Sequence, residues 1–160
     1  FFRKMGLSEA KIIPVKADAT ALPFETEFFD SVVSTDSYNY FGRDPDFLDQ
    51  KLLPFVRKGG YVYIAIPGMK HDCHEYLPSE LLLSWTPEQM DYMHDVAYWR
   101  DMVSRSRDAE IIEVHEMESR EEVWADWLRQ ENEFAIGDRR AMEAGGGKYL
   151  NFIKIVLRKK

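Results

Sequence analysis

Phe29-Asp30-Ser31-Val32-Val33-Ser34-Thr35, followed one helix-length later by Tyr61-Val62-Tyr63-Ile64-Ala65-Ile66, is the pair of runs on which the fold turns. Both are strand-sized and rich in β-branched or aromatic residues, which suit a pleated, packed surface. The unbroken Val32-Val33 centre predicts burial on both faces, as in a parallel sheet covered by helices. Between the runs, Asp44-Pro45 offers an N-cap and an N1 proline for a helix through about Val56, with Phe47, Leu48, Leu52 and Phe55 on its apolar face. Pro54 is placed to bend its last turn, Gly59-Gly60 to end it, and Pro67-Gly68 to stop the second strand. Strand, helix, strand in this order predicts an α/β fold with right-handed crossovers.

Working outward, Lys11 to Ala17 reads as an earlier strand leading into a loop at Pro23, and Phe1 to Gly6 reads as the end of a helix closed by glycine. The chain therefore reads as starting inside an element, which is expected of an N-terminally truncated domain. Downstream, Thr86-Pro87-Glu88-Gln89 is a capping box that opens a helix to about Ser106. A strand is predicted from Glu110 to Met117. A second capping box, Ser119 to Glu122, opens a helix that carries Val123, Trp124, Trp127, Leu128 and Phe134 and breaks near Gly137. Gly145-Gly146-Gly147 then leads into a last strand, Tyr149 to Leu157. The four tryptophans, Trp85, Trp99, Trp124 and Trp127, are read as core in preference to a substrate cage.

The 160 residues are 45% hydrophobic and 31% charged, an ordinary globular composition for a single domain spanning 1–160. A net charge of −7 opposes attraction to a phosphate backbone, so nucleic acid is not an expected partner. Cys73 is the lone cysteine, which rules out an intrachain disulfide and points to a reducing, cytoplasmic setting. No apolar run approaches the ~20 residues of a membrane span.

Three segments carry a family resemblance: Ala17-Asp18-Ala19-Thr20-Ala21-Leu22-Pro23-Phe24, Phe29 to Ser34, and Leu52-Leu53-Pro54-Phe55-Val56-Arg57-Lys58-Gly59-Gly60-Tyr61. In this order and spacing they resemble the small-molecule S-adenosylmethionine-dependent methyltransferases of the seven-stranded Rossmann-like superfamily, similar to those of ubiquinone and menaquinone biosynthesis. The resemblance implies an α/β, mostly parallel sheet with an antiparallel last strand, in the order 3-2-1-4-5-7-6 and lacking its N-terminal strands. It implies transfer of a methyl group from S-adenosylmethionine to a small-molecule nitrogen or oxygen acceptor. Asp18 and Ala19 would read the edge of adenine, although Asp18 alone also fits a simple turn. Ser34 and Thr35 would lie beside the cofactor, and Tyr38, Tyr40 and Phe41 beside the substrate, at the carboxyl edge where open α/β sheets bind ligands. The family's glycine-rich loop falls upstream of Phe1. Gly145-Gly146-Gly147 cannot replace it, because no helix follows.

Asp36, His71 and His74 are the candidate proton acceptors, although alignment with an activated sulfonium can suffice without a base. His71, Cys73, His74 and Glu75 invite a zinc reading, but so compact a cluster rarely surrounds an ion alone, and no metal is expected. Segments 69–107 and 119–147 are assigned to the substrate side. Exposed sheet edges are expected to pair with another chain. Two other readings stay open: a different nucleotide-binding Rossmann enzyme, and a degenerate methyltransferase fold that serves as a non-catalytic interaction module.

Overall fold

The computed structural model describes residues 13–160. The helix end expected at Phe1 to Gly6, and Lys11 and Ile12 of the first expected strand, lie outside the described residues. From Ile13 to Ala17 the chain has no regular secondary structure, and Ile13 and Val15 are exposed. The strand expected there therefore does not form over its described part. A strand needs a neighbour to take its backbone hydrogen bonds, and residues 13–17 pair with none among the described residues.

Four strands form one sheet: β1 (Phe29–Thr35), β2 (Val56–Met69), β3 (Ala109–Glu116) and β4 (Leu150–Lys159), in the order β1-β2-β4-β3. β1 and β2 are parallel, in register from Ser31 opposite Tyr61 to Thr35 opposite Ala65. β4 lies antiparallel between β2 and β3. Three strands thus share one direction and the last opposes them, matching the 4-5-7-6 half of the order implied by the resemblance.

β2 is longer than its sequence predicts at both ends. Its first residues pair through an irregularity between Phe29 and Ser31, where Gly59 adopts φ 74° and a Cβ on Gly60 would come within 2.6 Å of the Asp30 carbonyl oxygen. These glycines absorb a bulge and do not end a helix. At the other end Pro67 and Gly68 remain in the strand, opposite Phe152 and Asn151. The amide of Asp36 donates to the Ala65 carbonyl as β1 ends. Residue 67 faces the same side, now beyond β1, so its missing N–H costs no ladder bond.

The β1–β2 connection is irregular: α1 (Tyr38–Phe41), a π-helical turn at Leu48–Leu52 and a 3-10 turn at Leu53–Phe55. The Thr86 capping box forms in full, yet it opens only a short α2 (Pro87–Met90). The chain breaks at 91–95 and restarts as α3 (Val96–Ser104), with Asp95 accepting from the Tyr98 amide. The break frees the His94 carbonyl to take the Met69 amide at 3.1 Å. The second capping box does not form. Ser119 makes no side-chain cap at the start of α4 (Arg120–Leu128). The break falls at 129–132, where Asn132 caps α5 (Glu133–Glu143), and Gly137 lies inside that helix.

The core occupies one face of the sheet. Val62, Ile64 and Ile66 of β2, Ile153, Ile155 and Leu157 of β4 and Val114 of β3 pack with Trp99, Met102 and Val103 of α3 and with Leu48, Leu52 and Leu53. Full burial of each such large side chain contributes about 1.5–3 kcal/mol. The opposite face is open over β1 and the start of β2: Val33 is 71% exposed, and Tyr61 and Tyr63 stack on each other in partial exposure. The burial of β1 on both faces that Val32-Val33 suggests is therefore not realised. Among the described residues no helix covers β1 on that side; α4 reaches the same face only farther along, where Trp124 packs on Phe152. A second cluster, Met69, Leu81, Trp85, Met90, Met93, Trp124, Ala141 and Leu150, sits beyond the carboxyl end of β2 and supports what lies there.

Candidate functional site

Just past the carboxyl ends of β1 and β2 is a cleft of about 870 Å³. The sheet contributes Thr35, Asp36, Pro67 and Phe152, α1 contributes Asn39 and Tyr40, and the region around α2 contributes Trp85, Gln89, Tyr92 and Met93. Trp124 and Trp127 of α4 and Phe134 and Asp138 of α5 complete the wall. The shape follows from the backbone. Asp36 takes φ 51°, a left-handed conformation that aspartate tolerates better than most residues, and this turns the chain out of the sheet.

The cleft is acidic and aromatic. Asp36, Glu133 and Asp138 line it, and no Lys, Arg or His is among the described residues that do. Burial raises the pKa of the Asp36 carboxyl, and the neighbouring Asp138 raises it further. Burial likewise raises Asp138, against the lowering effect of indole hydrogen bonds from Trp127 and Trp85. The Trp127 Nε1–H donates to Asp138 Oδ2 at 2.8 Å and aims that carboxylate. Asn39 is 2% exposed, and its side-chain oxygen has no hydrogen-bond partner. A buried acceptor left unmatched beside two carboxylates favours a ligand that carries N–H or O–H donors. Tyr40 and Tyr92 meet at 4.9 Å between ring centres, and Arg43 braces Tyr92 from 4.3 Å over its ring while pairing with Asp91.

Of the residues singled out from sequence, Thr35, Asp36 and Tyr40 meet in this cleft. Ser34 lies one residue back along β1, its hydroxyl 2.9 Å from that of Ser37. Tyr38 is buried against Phe47 and Trp99, and Phe41 stacks on Phe47, so both belong to the core. Asp18 sits in a turn, Oδ1 accepting from the Thr20 amide and hydroxyl at 2.8 and 2.7 Å; these bonds lower its pKa. Neither Asp18 nor Ala19 lines the cleft, and His71 is exposed away from it. His74 lies outside it as well. Burial would lower the His74 pKa, but its bonds to Asp72 and to the Met90 carbonyl outweigh that and leave it raised.

The sequence reading missed Asp138, Tyr92 and the cleft-lining role of three tryptophans. Trp99 alone is wholly buried in the main core. The available signal was the i, i+3 pair Trp124 and Trp127 on a weakly amphipathic helix, followed by an acid inside the next one.

Residues 3–64 match the methyltransferase domain family. The chain has the Rossmann-like methyltransferase fold. Solved structures with this fold include a candidate sarcosine dimethylglycine methyltransferase from Galdieria sulphuraria, 17% identical, with a TM-score of 0.65 over 98% of this chain and 62% of that one. Another is a geranyl diphosphate C-methyltransferase from Streptomyces coelicolor A3(2), solved with Mg2+, geranyl diphosphate and S-adenosyl-L-homocysteine; it is 12% identical, with a TM-score of 0.67 over 99% of this chain and 57% of that one. The [4+2]-cyclase SpnF is 16% identical, with a TM-score of 0.63 over 99% of this chain and 59% of its own. The chain therefore spans about three-fifths of these neighbours. No curated protein matches the sequence. A cyclase among the neighbours shows that the methyltransferase fold hosts more than one chemistry, so function has to be read from the site.

Proposed function

We propose that this chain forms the acceptor side of an S-adenosylmethionine-dependent methyltransferase whose acceptor is a small amine. The observation that supports this most directly is the cleft at the carboxyl ends of β1 and β2, with three acidic residues, an unpartnered buried Asn39 oxygen, aromatic walls and no basic side chain among its described lining. Such a lining repels phosphate and carboxylate acceptors and favours a nitrogen that carries N–H groups or positive charge.

The residues fit a sulfonium cofactor as well as an amine. Aromatic faces attract the cation by about 0.5–2 kcal/mol each, and Thr35 and Asp36 stand at the strand end where this fold places ligands. Asp18 retains Oδ2 beyond its bonds to Thr20 and could accept from an adenine amino group. When bound, S-adenosylmethionine supplies a methyl group already activated by the positive sulfur. An amine held here would have to present its neutral form, with the lone pair free, to that methyl group, and the surplus N–H proton would leave to Asp36 or to solvent. Asp36 and Asp138 face the charge where it arrives on the nitrogen and stabilise it there. Asn39 accepts an N–H and orients the lone pair. Trp124, which is buried, and Trp127 beside it narrow the access of water to this wall, which strengthens each of these interactions.

The test is incubation of the whole protein with methyl-labelled S-adenosylmethionine and a panel of primary and secondary amines, phenols and carboxylates. Label is expected in the amines, with kcat/KM falling roughly tenfold or more in Asp138→Asn, as for loss of a positioned charge near a reacting atom. Label confined to phenols or carboxylates, or no transfer to any acceptor, contradicts the proposal.

A further inference from the structure

Away from the cleft, the loop after β2 meets the loop before α3, and their side chains form an arrangement the cleft does not use. His74 Nε2 lies 3.0 Å from the Met90 carbonyl oxygen. A carbonyl only accepts, so Nε2 carries the proton, and in a neutral ring the lone pair of Nδ1 is left facing Asp72 Oδ1 at 2.8 Å. A lone pair and a carboxylate oxygen repel unless a proton or a cation lies between them. His94 is 8% exposed, and its Nδ1 has no hydrogen-bond partner although it lies 3.7 Å from Asp72 Oδ2. Its ring is fixed by stacking on Tyr98 at 3.6 Å. Its backbone is fixed by the Met69 amide and by Gly68, where a Cβ would come within 2.6 Å of the His94 carbonyl oxygen.

We propose that Asp72, His74 and His94 form a binding site for a divalent transition cation of the zinc class. One ligand atom from each lies within 4.8 Å of the other two. Zinc bonds of about 2.0–2.2 Å place neighbouring tetrahedral ligands about 3.3–3.5 Å apart, so modest rotation of Asp72 and His74, neither of them buried, closes the set. Two imidazoles and a carboxylate suit zinc or cobalt far better than magnesium. The Met90 carbonyl is the outer partner that metal-bound histidines usually have, fixing tautomer and ring orientation. Cys73 stays out of the set, its sulfur 3.4 Å from that of Met69. Asp72 is exposed, so a cation could reach the set from solvent. Bound metal would tie the 70–76 loop to the 91–95 loop, and Tyr92 and Met93 of the latter line the cleft. None of the three ligands does so, which makes this site independent of the amine reading.

The test is titration of the chain, cleared of metal by chelation, with Co2+ followed by visible absorption and with Zn2+ by competition. One ion per chain is expected to bind with low-micromolar or tighter affinity, and the thermal midpoint is expected to rise with Zn2+ but not with Mg2+. Affinity should fall roughly tenfold or more in His74→Gln and in Asp72→Asn. These two positions are partly solvated, so their variants remain informative even where His94→Gln fails to fold. No saturable binding at millimolar Zn2+, or binding unchanged in both variants, overturns the proposal.

Discussion

Asp138 and Asp36 hold raised pKa values in the free cleft, so each binds its proton more tightly in the folded chain than in the unfolded one. Two consequences with opposite signs follow. For stability, the contribution of Asp138 is fully present below the unfolded aspartate range and is lost as pH rises through its higher folded value. Asp138→Asn should therefore raise the thermal midpoint at pH 7 and leave it nearly unchanged at pH 3. For binding, a cation favours the ionised pair, so affinity for an alkylammonium ion should increase as pH climbs through the same raised range, and Asp138→Asn should flatten that rise. Calorimetric titration across pH checks the second effect. Trp127→Phe removes the indole donor to Asp138 and should cost about 1.5–3 kcal/mol in chemical denaturation, as loss of a hydrogen bond to a charged group does. At this scale the sequence displayed Asp36 and Tyr40, because they follow directly on a strand whose end it predicts. It concealed Asp138, which is brought to the cleft by a helix starting nearly a hundred residues later, through tertiary packing that no local pattern records.

Elements differ in how far local signals governed them. The boundaries of β1 agree with its sequence pattern residue for residue, and β3 and β4 are displaced by a residue or two. These strands carry dense β-branched runs that fit few alternatives. The two capping boxes look alike as sequence and behave differently. Thr86→Ala should cost about 1 kcal/mol, because its side chain accepts from the Gln89 amide while Gln89 bonds back. Ser119→Ala should cost nothing measurable, because that hydroxyl caps nothing, whereas Asn132→Ala should again cost about 1 kcal/mol through its bonds to the Phe134 and Ala135 amides. Urea melts of the three variants separate these outcomes. Predicted helices were too long because capping and amphipathic signals mark where a helix starts, while here tertiary demands ended it: the His94 carbonyl serves the Met69 amide, and Asn132 starts a new helix.

On the whole-molecule scale, one sheet face is packed and the other is open over β1 and the start of β2, and β1 has an unpaired outer edge among the described residues. The sequence foresaw the exposed edge through the strand order its resemblance implied, but it read Val33 as buried because hydrophobicity alone does not say whether a covering helix exists. Exposed Val33, Tyr61 and Tyr63 leave apolar surface on the open face next to that edge, and pairing with a second copy is the expectation to be tested. Light scattering is expected to show concentration-dependent association that Val33→Lys reduces, and a strictly monomeric chain at all concentrations would oppose this. On the packed face, Trp99 is fully buried among α3, β2 and α1 side chains, and Trp99→Ala should destabilise the chain by about 3–5 kcal/mol in denaturant.

The proposed selectivity of the cleft for cations is best measured through its own tryptophans, since Trp85, Trp124 and Trp127 all line it. Titrating the chain at neutral pH with methylammonium and dimethylammonium, and separately with inorganic phosphate, while recording tryptophan emission, reads occupancy directly. A saturable change with the ammonium ions that is abolished in Asp138→Asn, and no change with phosphate, is the predicted result. Saturation by phosphate with indifference to ammonium would contradict an amine-accepting cleft.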